Sequence, residues 1–208
     1  MAFIRTVPVE AADAAVAELY DGDRASWGYV PNFTKTFAHR PDVYRAWQQL
    51  NATIKSSMDL RRYELATVAA AGALRSSYCT LAHGRMLAEQ FMGSESVIQF
   101  LTDRKTAPLD AADRAVVAFA EKVALGADRI TQGDVDELRA QGLDDEEIFD
   151  VALAAGARCF FSKVLDATGT EPDAAFQDLE PALREALTVG RPIEARPQDA
   201  RGGRQTGA

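Results

Sequence analysis

The stretch from Arg61 to Leu87, RRYELATVAAAGALRSSYCTLAHGRML, constrains this chain more than any other. It holds one of the two cysteines, one of the two histidines and an interior glutamate. Arg61 to Leu74 is an Ala/Leu/Val-rich run without proline, broken only by Gly72, which predicts a helix able to be buried on most sides and puts the Glu64 carboxylate at risk of burial. Arg75-Ser76-Ser77-Tyr78 then interrupts the run with hydroxyl residues, whose side chains can bond free backbone amides, so Ser76 is placed at the N-cap of a second helix. Cys79 falls in the first turn of that helix, where unpaired amides and the helix dipole favour an anion and lower a thiol pKa. His83 follows four residues later on the same face.

A tight helical hairpin at Arg75 sets residues at equal distances from the break opposite each other. Glu64 and His83 stand eleven and eight residues from it, and at ~1.5 Å per residue they differ by only ~4.5 Å along the axis. Cys79 is offset from Glu64 by about 10 Å on the same measure, too far for direct contact. The spacing therefore predicts a relay in which Glu64 orients or charges His83, and His83 addresses Cys79.

Glu64, eleven residues, then Ser76-x-x-Cys79-x-x-x-His83 resembles the active-site pattern of the alkylhydroperoxidase D-like, carboxymuconolactone decarboxylase superfamily. Pro31-Asn32-Phe33, His39-Arg40-Pro41 and the helical patterns from Asp110 to Gly169 extend the likeness to the peroxidase-related branch, over roughly residues 28 to 175. The resemblance implies an all-α bundle with a central helical hairpin carrying the motif, a homo-oligomer and a thiol-dependent peroxide reduction. It implies catalytic roles for Cys79, His83 and Glu64. Ser76 stands where the family pattern usually has a second cysteine, which puts the two-cysteine disulfide cycle in doubt.

The remaining sequence bounds the problem. A chain of 208 residues can bury most of its apolar surface without disulfide staples, and two cysteines eighty positions apart are no secreted framework. Neither an N-terminal signal-peptide pattern nor a membrane-spanning apolar run is present, so a reducing, cytoplasmic setting is expected, which keeps Cys79 a thiol. A formal charge of −8 argues against nucleic-acid backbone binding. No glycine-rich phosphate loop follows a strand, and two cysteines with one central histidine make a poor zinc set, so neither a cofactor nor a metal is expected.

Periodicity predicts helices over Glu10 to Tyr20, Asn32 to Ala38 and Pro41 to Lys55, with Val43, Trp47, Leu50 and Ile54 forming a core stripe on the last. His39 ends a short helix and reads as a capping or surface residue. Gly93 closes a helix and Ser94 opens another through Leu101. Capping-box-like starts at Asp110, Thr131 and Asp144 predict helices to about Leu125, Gln141 and Thr168, and no alternating run predicts a strand. Cys159, in an apolar setting, reads as an inert thiol before a resolving one. Phe33, Phe37 and Trp47 are candidate pocket walls for an organic substrate. Residues 1–180 are expected to form one domain, and 181–208 a C-terminal tail, extended or flexible, that orders only against a neighbouring surface.

The leading expectation is a peroxidase-like, antioxidant oxidoreductase that takes a small-molecule hydroperoxide at Cys79 and needs an external thiol reductant. A second keeps the fold and uses His83 and Glu64 for proton transfer on a lactone or other small organic acid, as the decarboxylase side of the resemblance implies. The third is a non-catalytic oligomeric binding protein with a degenerate site.

Overall fold

A computed structural model describes residues 2–196. The described residues form ten α-helices in order: α1 Ala14–Trp27, α2 Asn32–Phe37, α3 Pro41–Ser57, α4 Leu60–Ala73, α5 Ser77–Leu87, α6 Ser94–Thr102, α7 Ala111–Gly126, α8 Gln132–Ala140, α9 Asp145–Thr168 and α10 Pro181–Leu187. No strand occurs among the described residues. The fold is all-α, as the absence of alternation predicts.

α4 is the axis of the bundle, packed against α5, α7 and α9. Its alanine-rich middle explains this placement: every residue from Leu65 to Ala71 is fully buried, because small side chains let three neighbours approach the same backbone. The turn into α5 is a Schellman closure, in which Ser76 N donates to Ala71 O at 2.9 Å and Arg75 N to Gly72 O at 3.0 Å. Arg75 takes the left-handed position, φ 57°, where glycine is usual. The starts at Asp110, Thr131 and Asp144 are real caps: Asp110 accepts from Asp113 N, and Thr131 and Asp144 make reciprocal boxes with Asp134 and Glu147.

Three expectations shift. The first helix begins at Ala14, not Glu10, because Asp13 accepts from Val16 N at 2.9 Å and so defines the cap. It also continues to Trp27, through Asp23, whose buried carboxylate is satisfied by the hydroxyls of Thr34 at 2.6 Å and Tyr44 at 2.8 Å. The stripe on α3 is split: Trp47 and Ile54 are buried, whereas Val43 and Leu50 are exposed in an apolar groove between α3 and α9, shared with Leu153 and Phe160.

The tail is the third. Residues 181–187 are helical, with Leu183 and Leu187 buried, and residues 188–196 run on without regular structure to the end of the described chain. What orders this segment is the back of α5. Leu187 lies so close to Gly84 that no Cβ could be accommodated there, and Gly190 sits on the Arg75 carbonyl. Thr80 Oγ1 donates to Leu187 O, and Gly190 N to Ser77 Oγ at 2.7 Å. The expected tail over 197–208 lies outside the described residues.

Candidate active site

α5 begins at the hairpin turn and carries Cys79 and His83 one helical turn apart, while Glu64 faces them from α4. Glu64 is 1% exposed, and His83 Nδ1 lies 2.6 Å from its Oε2. Lys55, from α3, approaches Oε1 at 3.7 Å. Burial opposes ionisation of Glu64, but His83, Lys55 and Arg158 outweigh it and hold the carboxyl below its ordinary range. Burial pushes His83 the other way, and Arg158 and Lys55 add to that, so its pKa falls below the usual imidazole value despite Glu64. The pair is therefore a carboxylate and a neutral imidazole. Since the carboxylate can only accept, the proton belongs on Nδ1, and Nε2 is left as an acceptor.

Cys79 is 1% exposed. Its polar neighbour is not His83 but Arg158 of α9, whose Nη1 donates to Sγ at 3.4 Å. Arg158 is itself 3% exposed. Its guanidinium lies 5.9 Å from the ring centre of Trp47 and 5.6 Å from that of Phe161, and its Nε has no hydrogen-bond partner. A buried cation without a counter-charge is strongly destabilising. The sulfur of Cys79 is the hydrogen-bond partner of Arg158, and Glu64 is the carboxylate near enough for the two charges to act on each other.

These side chains line one cavity of about 420 Å³. Its apolar wall is Phe33, Trp47 and Phe161, with Trp47 stacked on Phe161 at 5.0 Å and Phe33 edge-on to Phe161 at 5.5 Å. Tyr78 contributes its ring, since its hydroxyl is bound to Asp173. Of the three wall candidates named from sequence, Phe33 and Trp47 line the cavity. Phe37 does not; it stacks behind Phe161 at 5.1 Å in the core.

Ser76 is the N-cap residue of α5, but its side chain makes no cap bond. The Schellman turn already fixes the chain entry, and the hydroxyl is turned toward Asp166 without good hydrogen-bond geometry. His39 is exposed, with its Nε2 2.6 Å from Arg5 O, so it ties the N-terminal arm rather than capping a helix. Cys159 is a half-buried free thiol, and burial raises its pKa. Among the described residues, no cluster of three or more His, Cys, Asp or Glu could hold a metal.

Residues 41–107 match the Carboxymuconolactone decarboxylase family. That match covers the segment that bears the site. It runs from α3 past α6 and contains Lys55, Glu64, Ser76, Cys79 and His83, whereas Arg158 lies outside it. The whole bundle is similar to the alkylhydroperoxidase AhpD core of an uncharacterized peroxidase-related protein from Ralstonia eutropha JMP134, with TM-score 0.76 and 24% identity over 84% of this chain and 94% of that one. A peroxidase-related protein from Silicibacter sp. TM1040 aligns with TM-score 0.71 and 22% identity over 85% and 91%. The debrominase Bmp8, in complex with 2,3,4-tribromopyrrole, aligns with TM-score 0.72 and 18% identity over 87% and 96%. At these identities the likeness is one of fold, the AhpD-like helical bundle. No curated protein matches the sequence significantly.

Sequence reasoning reached Glu64, Cys79 and His83 but missed Lys55 and Arg158. Arg158 had a legible signal. It is a lone charge inside the small and aromatic run from Ala152 to Phe161, where an ionised side chain is rare unless something pairs with it.

The neutral imidazole has a consequence for stability. The unfolded chain takes up a proton at His83 near the ordinary imidazole pKa, whereas the folded site resists it, so acidification from pH 7 toward 5 favours unfolding. Glu64, depressed in the fold, adds its own loss at lower pH as it is protonated. Wild type should therefore lose more melting temperature between pH 7 and 5 than His83→Gln, measured by calorimetry; equal losses would remove His83 from the account.

Proposed function

We propose that this protein is a single-cysteine thiol peroxidase that reduces small hydroperoxides at Cys79. The observation that carries the reading is the Arg158 guanidinium, buried and directed at Sγ, on the wall of a cavity that also holds the Glu64–His83 pair. The guanidinium donates to the sulfur, the atom that acts as nucleophile once the thiol proton has left. The thiolate attacks the terminal peroxide oxygen and the O–O bond breaks. Cys79 becomes a sulfenic acid, and the departing alkoxide takes a proton and leaves as an alcohol. His83, held in one tautomer by Glu64, is the group on the same face of α5 that can accept the thiol proton at Nε2 and return it to the departing oxygen. The aromatic wall suits an organic substituent on the peroxide.

The test is consumption of cumene hydroperoxide with a panel of thiols, wild type against Cys79→Ser. Thiol-dependent turnover in the wild type and none in the variant is the expected result. Turnover that survives in Cys79→Ser would falsify the reading.

A second reading is favoured by the Glu64–His83 pair itself. An ionised carboxylate bonded to a neutral imidazole whose other nitrogen is free is a competent general base, and the family description names a decarboxylase of a lactone. A Cys79 inert to peroxide, together with retained binding of small lactone acids, would favour this use of the same cavity.

We also propose that the groove between α3 and α9 is covered by a second copy of the chain. Val43, Leu50 and Phe160 in the groove are 42%, 50% and 44% exposed, and Phe149, also on α9, is 63% exposed, a density of large apolar residues that isolated monomers rarely leave in water. Trp47 lines both this groove and the active-site cavity, so a partner would press on the back of the aromatic wall. Light scattering at micromolar concentration should give a dimer or larger assembly, and Phe160→Glu should shift it toward monomer. A monomeric wild type would overturn this proposal.

A further inference from the structure

We infer that the reductant of this site is a low-molecular-weight thiol that enters the same cavity as the oxidant, and not a folded dithiol protein or a second cysteine of this chain. The inference rests on the peroxidase reading and names the partner that reading requires. Three observations lead to it.

The first is the absence of a resolving thiol where one would be needed. Ser76, one turn before Cys79, carries a hydroxyl that cannot form a disulfide. Cys159 directly follows Arg158 on α9, and successive residues of an α-helix point about 100° apart. With Arg158 directed at Sγ, Cys159 is turned away from it. It is absent from the residues around the cavity, and both thiols are free.

The second is access. Cys79 is 1% exposed, and its sulfur is reached through a cavity of about 420 Å³. Among its lining residues Ser26, Gln48 and Ala52 are exposed and Asn51, Lys55 and Met86 half-buried, so they stand on its solvent side. A space of that size holds one small organic molecule. The cysteine of a folded reductase projects only a side-chain length from its own surface and does not reach the floor of such a cavity. For the same reason, peroxide and thiol do not occupy it together. They must alternate, each excluding the other.

The third is the chemistry that Arg158 offers after oxidation. A small thiol R′SH condenses with the sulfenic acid to give Cys79–S–S–R′ and water. A second R′S⁻ then displaces one sulfur of that mixed disulfide. The sulfur that leaves is the one whose thiolate is better stabilised. Here it is Sγ, with the Nη1 donor already against it, and the outer sulfur is the one nearer the mouth. The products are R′S–SR′ and Cys79 thiolate. Over the cycle one hydroperoxide and two thiols become an alcohol, water and one disulfide. The cavity is returned to its starting state without any protein disulfide.

The experiment uses the full chain carrying Cys159→Ser, so that Cys79 is its one thiol. Methyl methanethiosulfonate converts Cys79 to its S-methylthio adduct, a mixed disulfide made without peroxide. Its loss is then followed by intact mass with 2-mercaptoethanol or cysteine, and separately with thioredoxin, its reductase and NADPH. On an exposed disulfide thioredoxin is far the faster reagent per thiol. Here the order is expected to reverse, with small thiols ahead by at least about tenfold at equal thiolate concentration. Ala52→Trp, at the mouth, should slow the small thiols several-fold while leaving the melting temperature within a few degrees. Faster removal by thioredoxin overturns the inference, as does an Ala52→Trp variant that folds and is reduced at the wild-type rate.

The peroxide arm is read separately on the same protein. Failure of one equivalent of peroxide to form a sulfenic acid at Cys79 sinks the peroxidase reading, whatever the adduct does. Sulfenic acid that forms but is reduced faster by thioredoxin sinks the choice of reductant alone. In steady state the alternation of ligands predicts parallel double-reciprocal lines and inhibition by excess thiol that peroxide relieves; intersecting lines would contradict the shared cavity.

Discussion

Arg158→Leu is expected to slow alkylation of Cys79 by iodoacetamide at neutral pH by about 30-fold, the equivalent of losing a charge-assisted hydrogen bond worth roughly 2 kcal/mol. The argument is one of charge balance in a buried site. The guanidinium is 3% exposed, and its hydrogen bond to Sγ is 3.4 Å long. Removing it takes away the hydrogen-bond donor that Sγ has in this site. Melting should change little or even improve, since leucine fills an apolar site without the desolvation that a buried cation carries. A variant that folds and alkylates at the wild-type rate at neutral pH would remove Arg158 from the chemistry and make it a packing residue. Arg158→Lys should rescue only in part, because an ammonium lacks the planar fork that lies between two aromatic faces.

Ser76→Cys should change the product of oxidation from a sulfenic acid to an internal disulfide. Both positions are wholly buried at the start of α5, three residues apart, and in a helix such neighbours have Cβ atoms about 5–6 Å apart, a separation a cap residue can shorten to disulfide reach. The substitution sacrifices no capping bond, because the serine hydroxyl makes none. After one equivalent of peroxide, intact-mass spectrometry should show the wild type heavier by one oxygen, or by one added small thiol, at Cys79. The variant should be lighter by two hydrogens, and its turnover should become sensitive to dithiols. A Cys79–Cys159 disulfide in the wild type would refute both this account and the reductant class drawn from it.

The pairing of Glu64 with His83 was legible because both ends of it are local. Helix rise and a hairpin at Arg75 bring the two residues to one level, and the 2.6 Å contact lies where that estimate puts it. The caps at Asp110, Thr131 and Asp144 were legible for the same reason, each being a bond between residues three apart. The expected start of α1 was too early because the apolar and acidic alternation already begins at Glu10, whereas Asp13, a residue type that caps, accepts from Val16 N and opens the helix there.

What the sequence by itself determined is an all-helical chain, a hairpin at Arg75, and a cysteine and histidine one turn apart in front of a buried glutamate. Tertiary structure alone decided what touches the sulfur. Helical spacing within α5 suggested His83, but the closest donor comes from α9, 79 residues along the chain, and no local pattern sets that approach. It also decided the fate of residues 181–196. They were expected in a tail that orders only against a neighbouring surface, and Leu183 and Leu187 find that surface on the back of α5, where Gly84 and Gly190 permit a close approach. Local hydrogen bonds and periodicity are written in short stretches of chain, whereas counter-charges and docking surfaces depend on which distant helices the core brings together.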